Sequence, residues 1–262
     1  MEQAIFITKT ENLKYWDEKY TILYFGIEFC ETLIPIKDDL KEIIEFCDEK
    51  NINFTFVTPY VTDLGLNKLK PLLNDLNELN KEIEVVVNDF GVLDLINNKY
   101  TNLKPVLGRL LSKQKKGPRI LNIKDKLPKE AWEHFQSSNV DIDVMQNFLV
   151  ENKVKRVELD NLIQGVKVEL RKVKGSLYYP YVNVTTTRLC LTNGCDKRLK
   201  PKLGIHPCEK ECQEYTFKLT NKDMPVTILL KGNSQFFRND KLPENLEEMG
   251  IDRLIFEPEI PI

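Results

Sequence analysis

The feature that most limits the possible folds is the alternation of β-type and helix-type segments through the first two-thirds of the chain. The predicted strands there are Thr21–Gly26, Ile52–Val57, Ile83–Val87, Pro105–Leu111, Val154–Leu159 and Val166–Leu170, and the predicted helices are Lys37–Lys50, Leu64–Lys81, Gly91–Asn97, Pro128–Gln136 and Asp141–Asn152. Alternation of this kind favours a parallel sheet covered by helices. Six or more such units fit a TIM-barrel-like (βα) barrel, allowing for distortion, better than an open sheet.

The last third of the chain is predicted to be β-rich. Its predicted strands are Tyr178–Thr187, Tyr215–Leu219, Val226–Lys231, Gln235–Arg238 and Leu254–Glu257, with one helix at Glu244–Met249 that Gly250 ends. Neither an internal repeat nor a flexible linker separates this part from the first. We therefore predict one barrel-like domain over residues 1–262, with a cysteine-rich loop at 186–215.

That loop carries four of the six cysteines, Cys190, Cys195, Cys208 and Cys212, in a polar, lysine-rich context. The N-terminal segment carries Glu2 and lacks the apolar run of a secretory signal, so a reducing cytoplasmic location is expected. Thiols gathered under such conditions more often bind metal than form disulfides. A [4Fe–4S] cluster is the first hypothesis, and structural zinc, a redox disulfide or uncoordinated thiols are the alternatives.

Polar residues follow several predicted strands directly. They are Glu28 and Cys30, Thr58 to Asp63, Asn88 and Asp89, Gly108 and Arg109, and Arg188 with Cys190. Functional residues of a βα barrel gather where its strands end, so these groups are expected to share one mouth. Cys30 could then join the cysteine loop as a ligand. Cys47, in contrast, lies on the apolar stripe of its helix and is predicted to be a core thiol.

Two groups of basic residues could bind an anion. One lies in the cysteine loop, at Lys197, Arg198, Lys200 and Lys202, and the other comprises Arg109, Lys113, Lys115, Lys116 and Arg119. The net charge of −2 provides no overall field for nucleic acid, so any such site is local. The candidate pocket residues are Tyr60, Asn88, Asp89 and Arg109. The alternatives are solvated loops for the basic groups and a helix cap for Asn88 and Asp89.

Six phrases in chain order resemble the collagenase-like peptidase family U-32, and in particular its UbiV-like branch of O₂-independent hydroxylation proteins. They are YFGIEFC (24–30), TPYVTD (58–63), VNDFGVL (87–93), LGRLLSKQKKGPR (107–119), VKRVEL (154–159) and the cysteine loop. The resemblance implies a barrel that holds a [4Fe–4S] cluster on Cys30, Cys190, Cys208 and Cys212. Cys195 has no counterpart in the family pattern and is kept in reserve as a ligand.

The resemblance also implies a function and partners. It points to O₂-independent hydroxylation of a small organic molecule such as a quinone ring, or of tRNA, by a heteromer with a paralogous family member. Peptidase activity is not expected, because neither an HExxH motif nor a nucleophile elbow is present. The alternatives are a non-catalytic iron–sulfur partner subunit and a tRNA-binding modification factor. A membrane span is not expected, because no apolar run approaches the required length.

Overall fold

The chain forms a closed barrel with a second, smaller sheet, as described by a computed structural model of residues 1–196 and 208–262. In chain order the strands are β1 (Glu2–Ile7), β2 (Ile22–Gly26), β3 (Asn53–Val57), β4 (Ile83–Val87), β5 (Leu103–Leu107), β6 (Arg156–Asp160), β7 (Lys174–Tyr179), β8 (Tyr181–Thr186), β9 (Phe217–Leu219), β10 (Ile228–Lys231), β11 (Ser234–Arg238) and β12 (Ile251–Phe256). Strands β1 to β7 and β12 close the barrel, and adjacent strands pair in parallel.

Helices cover the outside of this barrel. They are α1 (Lys37–Lys50), α2 (Asp63–Glu78), α3 (Phe90–Lys99), α4 (Lys129–His134) and α5 (Asp143–Glu151). The predicted α/β, TIM-barrel-like class is confirmed, with an irregularity: a 3-10 turn at Thr10–Tyr15 stands where a helix would join β1 to β2. Among the described residues, none of the helices has both the length and the apolar character needed to cross a bilayer.

The two faces of each barrel strand pack in different places, as the two-residue period of a strand requires. On β2, Ile22 and Tyr24 face the barrel interior, whereas Leu23 and Phe25 belong to the larger core beneath the helices. The helices fill that outer core with their apolar stripes. Cys47 lies on the stripe of α1, where it is buried, and burial raises the pKa of its thiol to about 12. Its prediction as a core thiol is therefore confirmed.

The second sheet is an insertion between β7 and β12. Its antiparallel strands follow the order β8-β11-β10-β9, which confirms the predicted β-rich C-terminal part. The prediction of one continuous strand at 178–187 is wrong, because Pro180 separates β7 from β8. Proline lacks the N–H that would continue a ladder, and the chain leaves the barrel for the second sheet at this point.

Three further element predictions need correction. The predicted strand Val166–Leu170 is irregular: its apolar residues are buried, but Lys167 N and Leu170 N donate to loop carbonyls rather than to a neighbouring strand. The predicted helix 244–249 is only a 3-10 turn at Glu247–Met249. Strand β1 was not predicted at all; its apolar residues, Ala4 to Ile7, form a continuous run of only four.

Candidate functional site

A fully buried arginine joins four strand ends at the C-terminal mouth of the barrel. Arg109, which follows β5, donates from Nε to Glu28 Oε2 at 2.7 Å, from Nη1 to Asp160 Oδ1 at 3.1 Å and from Nη2 to Glu257 Oε1 at 2.5 Å. Its partners follow β2, end β6 and follow β12, respectively. The guanidinium is thus occupied by protein carboxylates, so its first role is to hold the barrel mouth together.

The carboxylates of this network outnumber the cations. Lys116 Nζ supplies the second positive charge at 2.5 Å from Asp160 Oδ2, and it also donates to the main-chain oxygen of Arg109 at 2.8 Å. Burial raises the pKa of Glu257 to about 8, against the stabilising charge of Arg109. Burial lowers the pKa of Arg109, but the surrounding carboxylates outweigh it and raise that pKa. Burial therefore favours protonation of a carboxyl group in this network, and the charge of Arg109 opposes it.

The neighbouring polar residues have different roles. Asn88 is buried and donates from Nδ2 to Thr58 O at 3.0 Å and to Glu28 Oε1 at 3.3 Å. A Cβ at Gly108 would lie 2.2 Å from Asn88 Oδ1, so this contact requires glycine. Asp89 accepts from the backbone of Gly91 at 2.7 Å and caps α3, the alternative role raised from its sequence position.

A cavity of about 600 Å³ opens beside this network. It lies between the loop after β5 and the end of β8, and Tyr60, Asn88 and Arg109 are among its lining residues. Five cationic residues line it, and no Asp or Glu within the described part of the chain does. They are Arg109, Lys113, Lys115, Lys116 and Arg188.

These cations differ in what they are free to bind. Arg109 and Lys116 are neutralised by carboxylates, and Lys113 Nζ donates to Leu110 O at 3.0 Å. Lys115 and Arg188 are exposed and form no ion pair among the residues that the structure describes. The cavity therefore offers uncompensated positive charge at its rim. Chemically, it suits an anionic ligand.

Three chain segments that carry cysteines meet next to this cavity. Cys30 follows Phe29 at the end of β2, and Phe29 packs with Cys212 in a small buried cluster. Cys190 follows β8, and its Sγ lies 3.4 Å from Thr192 Oγ1. Cys208 and Cys195 are exposed.

The charges of these thiols act on one another. Burial raises the pKa of Cys212, and the neighbouring thiolates of Cys190, Cys30 and Cys208 raise it further. Burial likewise raises the pKa of Cys208, with further contributions from Cys190 and Cys30. Burial also raises the pKa of Cys195, followed by the charges of Asp196 and Glu211. Cys190 is the cysteine that contributes to this shift. Cys30, Cys190, Cys208 and Cys212 thus interact electrostatically with one another.

The arrangement differs from a site for a single metal ion. Within the described ranges 1–196 and 208–262, no three His, Cys, Asp or Glu side chains are grouped to hold one ion. Zinc binds thiolates at about 2.3 Å and therefore needs them in mutual contact. An iron–sulfur cube takes one thiolate at each iron corner, so its ligands stand farther apart. Four thiols from three segments match the number and type of ligands that such a cube takes.

Some predicted residues cannot be compared with the structure, and some structural residues were not predicted. Lys197, Arg198, Lys200 and Lys202 lie outside the described residues. Arg119 is exposed.

Sequence reasoning missed the roles of Asp160, Glu257 and Asn233. Asp160 and Glu257 stand at strand ends, a signal that was available, and Asn233 lies in a Gly-Asn pair between two β runs, which is a hairpin signal.

Comparison with known proteins gives fold-level likenesses only. No family model matches the sequence, and no curated protein is significantly similar to it. Among solved structures, the U32 peptidase Mk0906 is similar over 100% of this chain and 94% of its own, at 9% identity and a TM-score of 0.47. A class V chitinase mutant from Cycas revoluta, solved with (GlcNAc)3, covers 98% of this chain and 94% of its own at 9% identity and a TM-score of 0.37. The fold assignment rests on the strand order of this chain itself, a closed parallel barrel with an inserted antiparallel sheet.

Proposed function

We propose that this chain is a [4Fe–4S] protein that takes part in O₂-independent hydroxylation of an anionic organic substrate. Cys30, Cys190, Cys208 and Cys212 would bind the cluster, and the substrate would occupy the cationic cavity at the barrel mouth. The observation that carries the proposal is the convergence of three cysteine-bearing segments beside that cavity. Cys195, which is exposed, stays in reserve as a ligand.

The arrangement of the thiols supports a cluster role. A cluster held at all four corners by thiolates supplies electron transfer, since none of its irons is left open to substrate. Tyr60 and Asn233 stand beside the segments that carry Cys30 and Cys190, where they would orient the ligands.

The cavity supports an anionic substrate that is bound by this chain's own residues. Lys115 and Arg188 are exposed at its rim and could bind a carboxylate or phosphate. The Arg109 network forms the buried wall and fixes the loops that carry these cations. Burial raises the pKa of Glu257 in this wall, which favours its uncharged form and lessens the repulsion of an incoming anion.

A subunit role within a heteromer is the second candidate. Its observation is an apolar surface between α3 and α5, where Phe90 is 49% exposed and its ring meets that of Phe148 edge to face. A cavity of about 470 Å³ between the same helices is lined mainly by Phe90, Leu93, Met145 and Phe148. Exposed apolar patches of this kind mark protein interaction sites. A paralogous partner would cover this surface and contribute the remaining catalytic groups.

The cluster is tested by purification without oxygen, followed by iron and sulfide analysis and by absorbance and electron paramagnetic resonance spectra. We expect iron and sulfide near four per chain. Cys30→Ser, Cys190→Ser, Cys208→Ser and Cys212→Ser should each lose most of the signal. Cys47→Ser is the matched control and should keep it, and Cys195→Ser tests whether the reserve ligand is used. A colourless protein that contains zinc would refute the proposal.

Turnover and co-purification separate the two roles. Hydroxylation by the isolated cluster-loaded chain would exclude a purely accessory role, whereas activity only with a second protein would support the subunit role. A gel shift with tRNA at low salt tests the nucleic-acid alternative, and Lys115→Glu with Arg188→Glu should abolish any such shift. Binding of tRNA that these changes leave intact would place the nucleic acid away from the cavity.

A further inference from the structure

The hairpin between β10 and β11 contacts the segments that carry the proposed cluster ligands. Its loop has two residues, Gly232 and Asn233, since Lys231 pairs directly with Ser234. Gly232 has a φ of +60°, a conformation that favours glycine in such a loop. Asn233, the second loop residue, is 6% exposed and lies at the junction of the barrel and the inserted sheet.

The side-chain amide of Asn233 joins two distant parts of the chain. Nδ2 lies 2.6 Å from the carbonyl oxygen of Phe29, the residue before Cys30. It lies 2.8 Å from the carbonyl oxygen of Thr187, three residues before Cys190. The main-chain N–H of Thr187 donates in return to Asn233 O at 3.0 Å.

Tyr60 completes this connection. Its hydroxyl donates to Thr187 O at 2.9 Å and stands 3.0 Å from Asn233 Nδ2. An amide NH₂ has two hydrogens, and here three oxygens lie within its reach. A side chain that only accepts hydrogen bonds could not replace it, since both backbone partners are acceptors themselves.

The other loop residue contacts the third cysteine segment. A Cβ built at Gly232 would lie 3.5 Å from Cys212 Cβ and 3.2 Å from Ile262 Cγ2. Cys212 therefore lies directly beside the hairpin loop. One two-residue loop thus contacts the chain at Phe29, at Thr187 and at Cys212.

We infer that Asn233 is a positioning residue that holds the segments of Cys30 and Cys190 at a fixed separation before any cluster is bound. The inference rests on the proposed cluster site for its meaning, but the connection itself consists of hydrogen bonds within the protein. It predicts that the cluster-free protein already presents these two thiols as a pair. Pre-organisation of this kind lowers the cost of ordering the ligands when the cluster binds.

The test measures thiol proximity in cluster-free full-length protein. The parent variant carries Cys195→Ser, Cys208→Ser and Cys212→Ser, which leaves Cys30 and Cys190 outside the core. The probe is dibromobimane, which fluoresces strongly only after both of its arms have alkylated thiols. The measured quantity is the rate of the second alkylation, with the cross-link between residues 30 and 190 identified by peptide mass.

We expect efficient cross-linking in the parent and a loss of roughly tenfold on adding Asn233→Asp, the factor that corresponds to about 1.4 kcal/mol. The matched control is Asn161→Asp. Asn161 is buried like Asn233, and its Nδ2 also joins two carbonyl oxygens, those of Asn239 and Lys241, away from the cysteines. This control should cross-link at the parent rate. Tyr60→Phe removes only the hydroxyl and should cause a smaller loss, which keeps the test usable if Asn233→Asp fails to fold.

Equal cross-linking by the parent and the Asn233→Asp variant would overturn the inference, as would an equal loss in the Asn161→Asp control or no cross-link in the parent. The outcome does not depend on metal. A chain that cross-links as expected but never binds iron would contradict the proposed function alone. A chain that binds a cluster while Asn233→Asp leaves cross-linking unchanged would contradict only the positioning role.

Discussion

Glu158 offers a direct test of the electrostatics inside the barrel. This β6 residue is fully buried; Tyr178 Oη donates to its Oε2 at 2.6 Å, and its Oε1 has no hydrogen-bond partner among the described residues. Burial, reinforced by the charge of Glu28, raises the pKa of Glu158 from 4.5 to about 8. An ionised carboxylate is costly here because one oxygen lacks a partner. The folded protein therefore binds a proton that the unfolded chain releases.

The sign of the effect on stability follows from that proton. Below pH 4.5 both states are protonated and Glu158 carries no penalty. As the pH rises to about 8, the unfolded state loses its proton first, so the free energy of unfolding falls by about 1.4 kcal/mol per pH unit. Over the whole window the loss is on the order of 5 kcal/mol, a large share of a typical domain stability of roughly 5 to 15 kcal/mol. Above that window the penalty stays constant.

Glu158→Gln removes this titration while keeping an oxygen that can accept from Tyr178. The variant should gain stability relative to the wild type as the pH rises from 5 to 9, with a difference of several kcal/mol between these limits. Urea unfolding followed by circular dichroism at half-unit pH steps measures it. Glu42→Gln, at an exposed position of α1, is the control and should follow the wild-type pH dependence. Parallel curves for Glu158→Gln and wild type would refute the reasoning.

Three further changes test the barrel mouth, each measured by urea unfolding. Arg109→Met leaves three buried carboxylates without their guanidinium and should cost about 3 to 5 kcal/mol; a loss below about 1 kcal/mol would contradict the network. Asp89→Ala removes the cap of α3 and should cost about 1 kcal/mol, whereas Asp89→Asn should cost less. Gly108→Ala places a methyl group 2.2 Å from Asn88 Oδ1 and should destabilise the protein, whereas Gly117→Ala meets no atom within 4 Å; equal effects would contradict the contact.

The general architecture could be predicted from the sequence because its determinants are local. The two-residue and 3.6-residue periods identified most barrel strands and all the longer helices. The prediction failed where local pattern and tertiary partners disagree. Residues 166–170 alternate between apolar and charged side chains as a strand does. Their backbone N–H groups nevertheless donate to Gln136 and Met249, which are outside any strand. Residues 178–187 are rich in β-branched and aromatic residues and were predicted as one strand, but Pro180 divides them between β7 and β8.

The candidate site was only partly predictable for the same reason. The placement of Cys30 near Cys190 and Cys212 was expected from the rule that functional residues gather at strand ends, and the structure brings these segments together. The sequence did not indicate that protein carboxylates accept hydrogen bonds from the Arg109 guanidinium. Its partner Glu257 lies 148 residues away, and although both residues follow strands, that position does not indicate which charges pair.

The sequence by itself determined the alternation of strands and helices, the supply of thiols and the positive charge of the loop after β5. The tertiary structure alone decided which charges are neutralised, which line a cavity, and which hairpin contacts the cysteine segments. Periodicity depends on neighbours a few residues apart, whereas the state of a buried charge depends on every group packed around it. Barrel closure brings those groups together from both ends of the chain, as the pairing of β1 with β12 illustrates.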